Sequence, residues 1–288
     1  MKNRKKIIVT GGSGYLGKYI VDELLTKYHV ISVDRKNLKL INKNYTMVKS
    51  SIKNFFRKKN LTDIYAIIHL ATVESRSNLY VNNPELAFQN LSDMYIILDR
   101  IKKFNKKPIL IFTSSKQIEN DNKNYIKNPY SLSKEFCENL IKFYSKNYKF
   151  QSYILRISDI FSMFNNPPKK ALMVLINKFI KHEKVNIHDT DHFFEYVSVE
   201  DIVNGIMKLL SQKKQKTKQI NFYGKKIMIS KLVEMIKRIT KSKSKIQTQV
   251  RKKKRTSIEI EFYKMKKKWA FHNRLESIIK KESTNTRF

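Results

Sequence analysis

Cysteine occurs once in the 288 residues, at Cys137, so an internal disulfide and a cysteine-built zinc site are both excluded. Long apolar runs are missing too. The longest uninterrupted ones, such as Ile109 to Phe112, have strand length, far below the roughly 20 residues that span a bilayer. The start, MKNRKKIIVTGG, carries only Ile7 to Val9 as an apolar stretch, against roughly 7–15 in a signal-peptide core, and no leader is expected. A cytoplasmic protein follows from these absences. Acidic residues are few, 24 against 60 Lys+Arg for a formal charge of +36. The imbalance is uneven, because residues 211–288 hold 25 of the basic side chains and 5 of the acidic ones. Such a charge raises the question of nucleic acid. The Lys252-Lys253-Lys254 run has no aromatic stacking platform beside it, so a solvated surface is the expected reading.

The chain is 41% hydrophobic, enough for a sizeable core. Short apolar runs at Lys6–Thr10, His29–Asp34, Tyr45–Val48, Ala66–Leu70, Ile109–Ser114 and Ser152–Ile157 alternate with amphipathic stretches near 16–27, 84–104 and 130–147. The runs do not alternate apolar with polar, as expected for parallel strands covered on both faces. This is the pattern of an α/β, doubly wound (Rossmann) parallel sheet with a smaller C-terminal lobe. Asn165-Asn166-Pro167-Pro168 interrupts the alternation, and a helix is expected over 171–181. The expected division is a dinucleotide-binding domain over 1–162, to which 195–212 returns, and a substrate-binding lobe over 163–288.

Glycine is scarce, yet four of the six fall within Gly11-Gly12-Ser13-Gly14-Tyr15-Leu16-Gly17, directly after a strand and before a helix. In that context Gly11 permits a tight turn, Gly14 lets backbone approach a pyrophosphate, and Gly17 lets helix and strand pack closely. The anion then sits on helix N–H groups at the turn, residues 13 to 17. Asp34 ends the second strand, where a carboxylate accepts from adenosine ribose hydroxyls and repels a 2′-phosphate, which favours NAD. Arg35, next to it, is suited to receiving that phosphate and keeps NADP open.

Tyr130 and Lys134 fall one turn apart on a helix that begins after Pro129. In that arrangement Lys134 can lower the tyrosine pKa and hold the nicotinamide ribose, while Tyr130 exchanges a proton with a substrate hydroxyl. The spacing alone is common: about two to three such pairs arise by chance in a chain of this composition. Tyr45/Lys49 and Tyr263/Lys267 also fit. Position distinguishes Tyr130, because fifteen residues earlier Thr113-Ser114-Ser115 ends a strand at the sheet edge where such folds bind ligands. Ser115 is placed to share the substrate hydroxyl.

Thr10 to Gly17, Asp34, Ile67 to Ala71, Asn90, Thr113 to Ser115 and Tyr130/Lys134 together resemble the extended short-chain dehydrogenase/reductases of the nucleotide-sugar epimerase/dehydratase family. Leu155 to Phe161, Glu195 to Ile202, Asn221 to Gly224 and Lys266 to Trp269 extend the likeness over nearly the whole chain. The resemblance implies a bound NAD contacted by Gly11, Ser13, Gly14, Tyr15, Leu16, Gly17, Asp34, Arg35, Leu70, Ala71, Asn90, Tyr130 and Lys134. It further implies Tyr130, Lys134 and Ser115 as the catalytic set, with Ser115, Asp159 and Arg251 on the substrate. Dehydratases of that family carry an acidic pair after the serine/threonine position. Here Lys116-Gln117 follow Ser115, so dehydration is disfavoured.

Epimerisation of a nucleotide sugar, in polysaccharide precursor synthesis, is the expected activity. Reduction of a keto-sugar and non-catalytic dinucleotide binding are the alternatives. Asp159 stands where the family has asparagine, Phe194 where it has a diphosphate-clamping arginine, and Ser51 where it has an adenine-contacting acid. The resemblance implies a homodimer through helices 84–104 and 130–147. No metal is expected: His188 and His192 lie in a polar loop, and His69, ending an apolar strand, reads as a packed side chain.

Overall fold

The computed structural model describes residues 4–58, 61–72, 82–119, 128–162, 170–188, 193–212 and 217–249. Its main sheet has seven strands, all parallel. They are β1 (Lys6–Thr10), β2 (His29–Asp34), β3 (Tyr45–Lys49), β4 (Ile64–His69), β5 (Ile109–Ser115), β6 (Ser152–Ile157) and β10 (Lys218–Phe222), in the spatial order β10-β6-β5-β4-β1-β2-β3. The order reverses between β1 and β4, so a crevice opens beyond their carboxyl ends. Within this sheet, β10 is the one strand absent from the sequence reading. Its burial pattern is mostly exposed, as suits an edge strand, and it carries no apolar run to announce it.

Both faces of this sheet are covered. Ile8, Val33, Ile67, Leu110, Phe112 and Ile154 share one core with Phe55 of α2 (Ile52–Lys58), Met94, Ile97 and Leu98 of α3 (Leu86–Lys103), and Ile141 of α4 (Pro129–Tyr148). The alternate positions Ile7, Val9, Ile68, Ile111 and Leu155 are equally buried and point to the opposite face. That two-sided burial is why the strands read as continuous apolar runs. Ser51 begins α2: its Oγ accepts from Asn54 N–H at 3.2 Å. Asn128 begins α4 in the same way, its Oδ1 accepting from Ser131 N–H at 2.8 Å, with Pro129 at the first helical position. Tyr130 and Lys134 therefore sit in the first two turns of a well-defined helix.

The chain divides into two compact units. The first takes the residues up to Ile157 together with Glu200–Phe222, which include all of α6 (Val199–Ser211) but its first residue. The second takes Ser158–Val199 and the described chain from Tyr223 onward. Within the second, β7 (Asp159–Phe161), β9 (Phe193–Ser198) and β11 (Lys225–Met228) form a three-stranded sheet ordered β11-β9-β7, and β8 (Val185–His188) pairs with β12 (Ile246–Gln249). Leu172, Ile176 and Phe179 of α5 (Ala171–Ile180) pack with Leu232, Val233 and Ile236 of α7 (Ile229–Thr240) in that unit's own core. Among the described residues no helix is long and apolar enough to cross a membrane.

Ile97→Ala, at a fully buried position in α3, is expected to lower the unfolding free energy by about 2–5 kcal/mol in urea denaturation. Lys103→Ala, which removes only an exposed i,i+4 pair with Asp99, is expected to cost less than about 1 kcal/mol.

Candidate active site

The turn after β1 is built by close backbone approach. Gly11 has φ +76°, and a Cβ there would lie 2.7 Å from the backbone nitrogen of Ala71. A Cβ on Gly17 would lie 2.2 Å from the Gly11 carbonyl oxygen. Neither neighbour is a flexible side chain, so only glycine permits this geometry. Gly14 N–H donates to the Gly11 carbonyl at 3.0 Å and closes the turn. Helix α1 (Tyr15–Leu25) starts there with Gly14 as its N-cap, no side-chain cap bond and no acidic residue in its first turn. The helix start thus keeps the partial positive charge that a phosphate would meet, with no acidic residue in its own first turn to oppose it.

Asp34, at the carboxyl end of β2, faces the same turn. Its Oδ2 accepts from Ser13 N–H at 3.1 Å and its Oδ1 from Lys36 N–H at 3.0 Å. Each oxygen keeps a further lone pair for a ribose hydroxyl. Arg35 is exposed, and its charge reaches Asp93 on α3. Burial pushes the Asp93 carboxyl up to about 6, against the Gln89 amide hydrogen bond and the Arg35 charge, which both favour the carboxylate.

Leu70 and Ala71 follow β4. Leu70 N–H donates to the Thr10 carbonyl at 3.1 Å and Ala71 N–H to Thr10 Oγ1 at 3.4 Å, which ties this segment to the end of β1. Thr10 lies opposite His69 in the sheet register, and Thr10 Oγ1 meets His69 Nδ1 at 2.7 Å. The His69 ring also stacks on Phe112. Burial, aided by the Lys134 charge, drives its pKa down to about 3, so the imidazole is neutral at ordinary pH. Asn90 is buried in α3, where its Nδ2 donates to Ser133 Oγ at 3.1 Å and its Oδ1 accepts from Thr72 Oγ1 at 3.3 Å. It thereby bridges to α4 as well as lying at the helix start expected to face a cofactor.

Lys134 is 3% exposed. Its Nζ donates to the Thr113 carbonyl at 2.9 Å and lies 4.7 Å from the Phe112 ring centre and 5.7 Å from that of Tyr130. Burial lowers its pKa to about 8, while Cys137 and Glu138 favour its charged form. The ammonium therefore links α4 to the end of β5 and lies beside the tyrosine ring. Tyr130 is itself buried, as is Ser115. Ser115 Oγ accepts from Gln117 N–H at 3.2 Å and caps the short 3-10 helix Lys116–Ile118, which leaves its own hydroxyl proton as a donor. The rival pair Tyr45/Lys49 lies on a strand, so its members do not share a helical face. Tyr263/Lys267 lies outside the described residues.

In the second unit Asp159 opens β7 and is exposed. Lys170, which the sequence reading did not single out, donates from Nζ to the Ile160 carbonyl at 2.8 Å. Burial lowers its pKa to about 8 and the Asp159 charge opposes that shift. A lysine next to Lys169 has no spacing signal, and only the structure reveals it as partly buried and anchored. Phe194 stacks on Tyr196, ring centres 5.5 Å apart. Arg251, Lys252 to Lys254, Lys266 to Trp269 and His192 lie outside the described residues, among which no group of three His, Cys, Asp or Glu side chains is arranged to hold a metal.

The depressed pKa of His69 has a signed consequence for stability. Between pH 6.5 and about 3 the unfolded chain binds the proton that folded His69 refuses, so stability falls on acidification across that window and the loss is complete below it. Asp93, with its pKa raised, works in the opposite direction between 3.8 and about 6. The parent minus His69→Gln difference isolates the histidine. It is expected to change by up to about 1.4 kcal/mol per pH unit between pH 6 and 4 in denaturant titrations.

A family model described as "NAD dependent epimerase/dehydratase family" matches residues 7–222. A "Putative UDP-glucose 4-epimerase" of Methanocaldococcus jannaschii is 28% identical over 253 residues, 80% of this chain and 81% of that protein. In fold, the chain is similar to the UDP-glucose 4-epimerase of Thermotoga maritima solved with UDP-glucose, with a TM-score of 0.80 and 20% identity over 98% of this chain and 100% of that one. It is also similar to the Thermus thermophilus UDP-glucose 4-epimerase solved with NAD, with a TM-score of 0.67 and 18% identity over 84% and 85% of the two chains. With the model matching well over half its length, through the glycine turn, Asp34 and the Tyr130/Lys134 helix, this chain belongs to the NAD dependent epimerase/dehydratase family.

Proposed function

We propose that this chain is a nucleotide-sugar epimerase that holds NAD on the glycine turn of its first unit and uses Tyr130, Lys134 and Ser115 for proton transfer. The carrying observation is the buried Lys134 ammonium, fixed between the Thr113 carbonyl and the ring of Tyr130 at the carboxyl edge of β5. The residues present fit the cofactor: the glycine turn excludes side chains where a pyrophosphate would approach, and Asp34 is oriented by two backbone N–H groups. Asp34 favours NAD, and the acidic neighbour Asp93 draws on Arg35. When bound, NAD supplies reversible hydride exchange with a sugar carbon.

The protein's part is proton handling. Lys134 beside Tyr130 stabilises the phenolate, which takes the sugar hydroxyl proton and later returns it, while Ser115 donates to the reacting oxygen. Lys116 and Gln117, in place of an acidic pair, offer no carboxyl group to assist loss of water. Asp159 and Arg251 are assigned to the substrate. The support for epimerisation is the family membership together with relatives and fold neighbours that carry that name. A single buried cysteine is in keeping with a cytoplasmic enzyme.

The enzyme is assigned as a homodimer with a second copy on the α3/α4 face. Phe88, Phe136 and Phe143 are 71%, 57% and 62% exposed there, beside Tyr95 and Leu132. An apolar stripe on two adjacent helices matches itself across a two-fold axis and is a poor surface to leave in water.

Denaturing the purified protein is expected to release nicotinamide cofactor. Turnover on a UDP-sugar panel is expected to fall about 10²–10⁴-fold in Tyr130→Phe, with the cofactor retained. Cofactor with no Tyr130-dependent turnover across the panel would favour the binding-only reading, and net oxidation of added NADH would favour a reductase. In light scattering the parent is expected at the dimer mass and Phe136→Glu at the monomer mass. A monomeric parent, or a dimeric variant, would refute the assigned face.

A further inference from the structure

Behind Tyr130 and Lys134 lies a set of charges that the proton-transfer reading leaves unused. Glu138 follows Lys134 by one turn, as Lys134 follows Tyr130, so the three share a face of α4. Its side chain is 1% exposed. Arg156, on β6, forks onto it: Nε donates to Oε1 at 2.9 Å and Nη2 to Oε2 at 2.8 Å. The remaining Arg156 Nη1 donates to Glu119 Oε1 at 2.9 Å, just past the 3-10 helix. Ser114 Oγ donates to Glu138 Oε1 at 2.5 Å. One carboxylate thus joins α4, β5 and β6, and Ser114 is the immediate neighbour of Ser115.

A buried ion pair is weak evidence for stability, since desolvation offsets most of its attraction. What this one touches gives it a consequence. Glu138 favours the charged form of Lys134 against the effect of burial. Its two hydrogen bonds to Arg156 also hold that guanidinium firmly protonated. The groups that bear on Lys134 are His69 from β4, Tyr130, Cys137 and Glu138 from α4 itself, and, through Glu138, Arg156 of β6, Glu119 and the half-exposed Lys142, whose Nζ lies 3.9 Å from Glu138 Oε2. Of these, His69 is neutral and Cys137 is pushed up to about 12 by burial, so at working pH the charges around Lys134 are those of Glu138, Arg156, Glu119 and Lys142, joined by Tyr130 when its phenol is ionised for the reaction.

We propose that Glu138, Arg156 and Glu119 are positioning residues for the reaction: the fork on Glu138 clamps the strand end bearing Ser115 to the helix bearing Tyr130 and Lys134, and sharing that carboxylate with Arg156 sets how much of its charge reaches the lysine. The inference rests on the proposed roles of Tyr130 and Lys134, and it assigns the device that tunes them. Loss of Glu138 or of Glu119 weakens the negative field at Lys134. Loss of Arg156 strengthens it. The two halves of the fork therefore act with opposite sign, which simple loosening of a packed cluster does not produce.

The test is an NMR titration of the full chain carrying [ε-13C]lysine, with the Lys134 resonance assigned by its loss in Lys134→Arg. In Glu138→Gln, whose amide oxygen still accepts from Ser114, the Lys134 midpoint is expected about one pH unit lower than in the parent. In Arg156→Gln it is expected about as much higher. Unmoved midpoints, or movement of both in one direction, would overturn the proposal. If either variant does not fold, Glu119→Gln, at a side chain 16% exposed, carries the test. It is expected to lower the midpoint by less than Glu138→Gln would, and an unmoved midpoint overturns the proposal. The titration needs no sugar substrate, so its failure is distinct from a failure of Tyr130→Phe to reduce turnover, which would refute the proposed function instead.

Discussion

A lysine ammonium withdrawn from water is the constraint around which the first unit is arranged. Burying a lone charge is costly, and a lysine responds by lowering its pKa unless dipoles and counter-charges replace its hydration. Lys134 is only partly compensated. One backbone carbonyl, two aromatic faces and a carboxylate one turn away hold it near pH 8. Full compensation would make it an inert structural cation, and none would leave it neutral. The intermediate state requires that β5, β6 and α4 keep their relative places, because the carbonyl comes from the first strand, the arginine that shares the carboxylate from the second, and the other groups largely from the helix.

The same requirement explains why the polar side chains in question lie at one edge of the sheet. Parallel strands all end on the same side, so Thr10, Asp34, His69 and Ser115 arrive together without any long excursion of the chain. Once there, they are linked to one another as well as facing outward. Thr10 joins His69 and Ala71, Asp34 joins Ser13, and Asn90 joins Ser133 three residues after Tyr130. A glycine turn that only positioned a phosphate would need little of this. The cross-links make the turn after β1 and the segment after β4 one backbone body, and the absence of Cβ atoms at Gly11 and Gly17 is what lets them touch.

Much of this was legible in the sequence, for identifiable reasons. Strands buried on both faces become apolar runs, so β1, β2, β4, β5 and β6 announced themselves, and concentrating scarce glycines in seven positions marked the turn. The edge strand β3, only partly buried, was still marked by Tyr45 to Val48, but the opposite edge was not. β10 presents Lys218 and Gln219 to solvent and joins the sheet at its edge, so no run betrays it. The acid network was hidden differently. Glu138 is a glutamate at helical spacing, the usual sign of a solvated face, and Arg156 reads as an interruption in an apolar strand. Either alone is uninformative, and only the sheet, by setting β6 beside β5 and α4 over both, pairs them.

The second unit shows how a local sequence departure can be absorbed chemically. Asp159 stands where the resemblance implies an asparagine beside the substrate, and a carboxylate there would by itself repel a diphosphate. Lys170 alters that balance. It lies close enough for the aspartate to favour its charged form against burial, and its Nζ is anchored on the carbonyl of the very next residue, Ile160. The field at the start of β7 is therefore that of a pair, nearly neutral while Lys170 holds its proton, rather than that of a bare carboxylate. An exposed carboxylate oxygen beside a fixed ammonium suits sugar hydroxyls, which take hydrogen bonds from one and give them to the other. The start of β7 thus carries a charge-compensated carboxylate, chemically suited to accepting from hydroxyl groups rather than to meeting a phosphate.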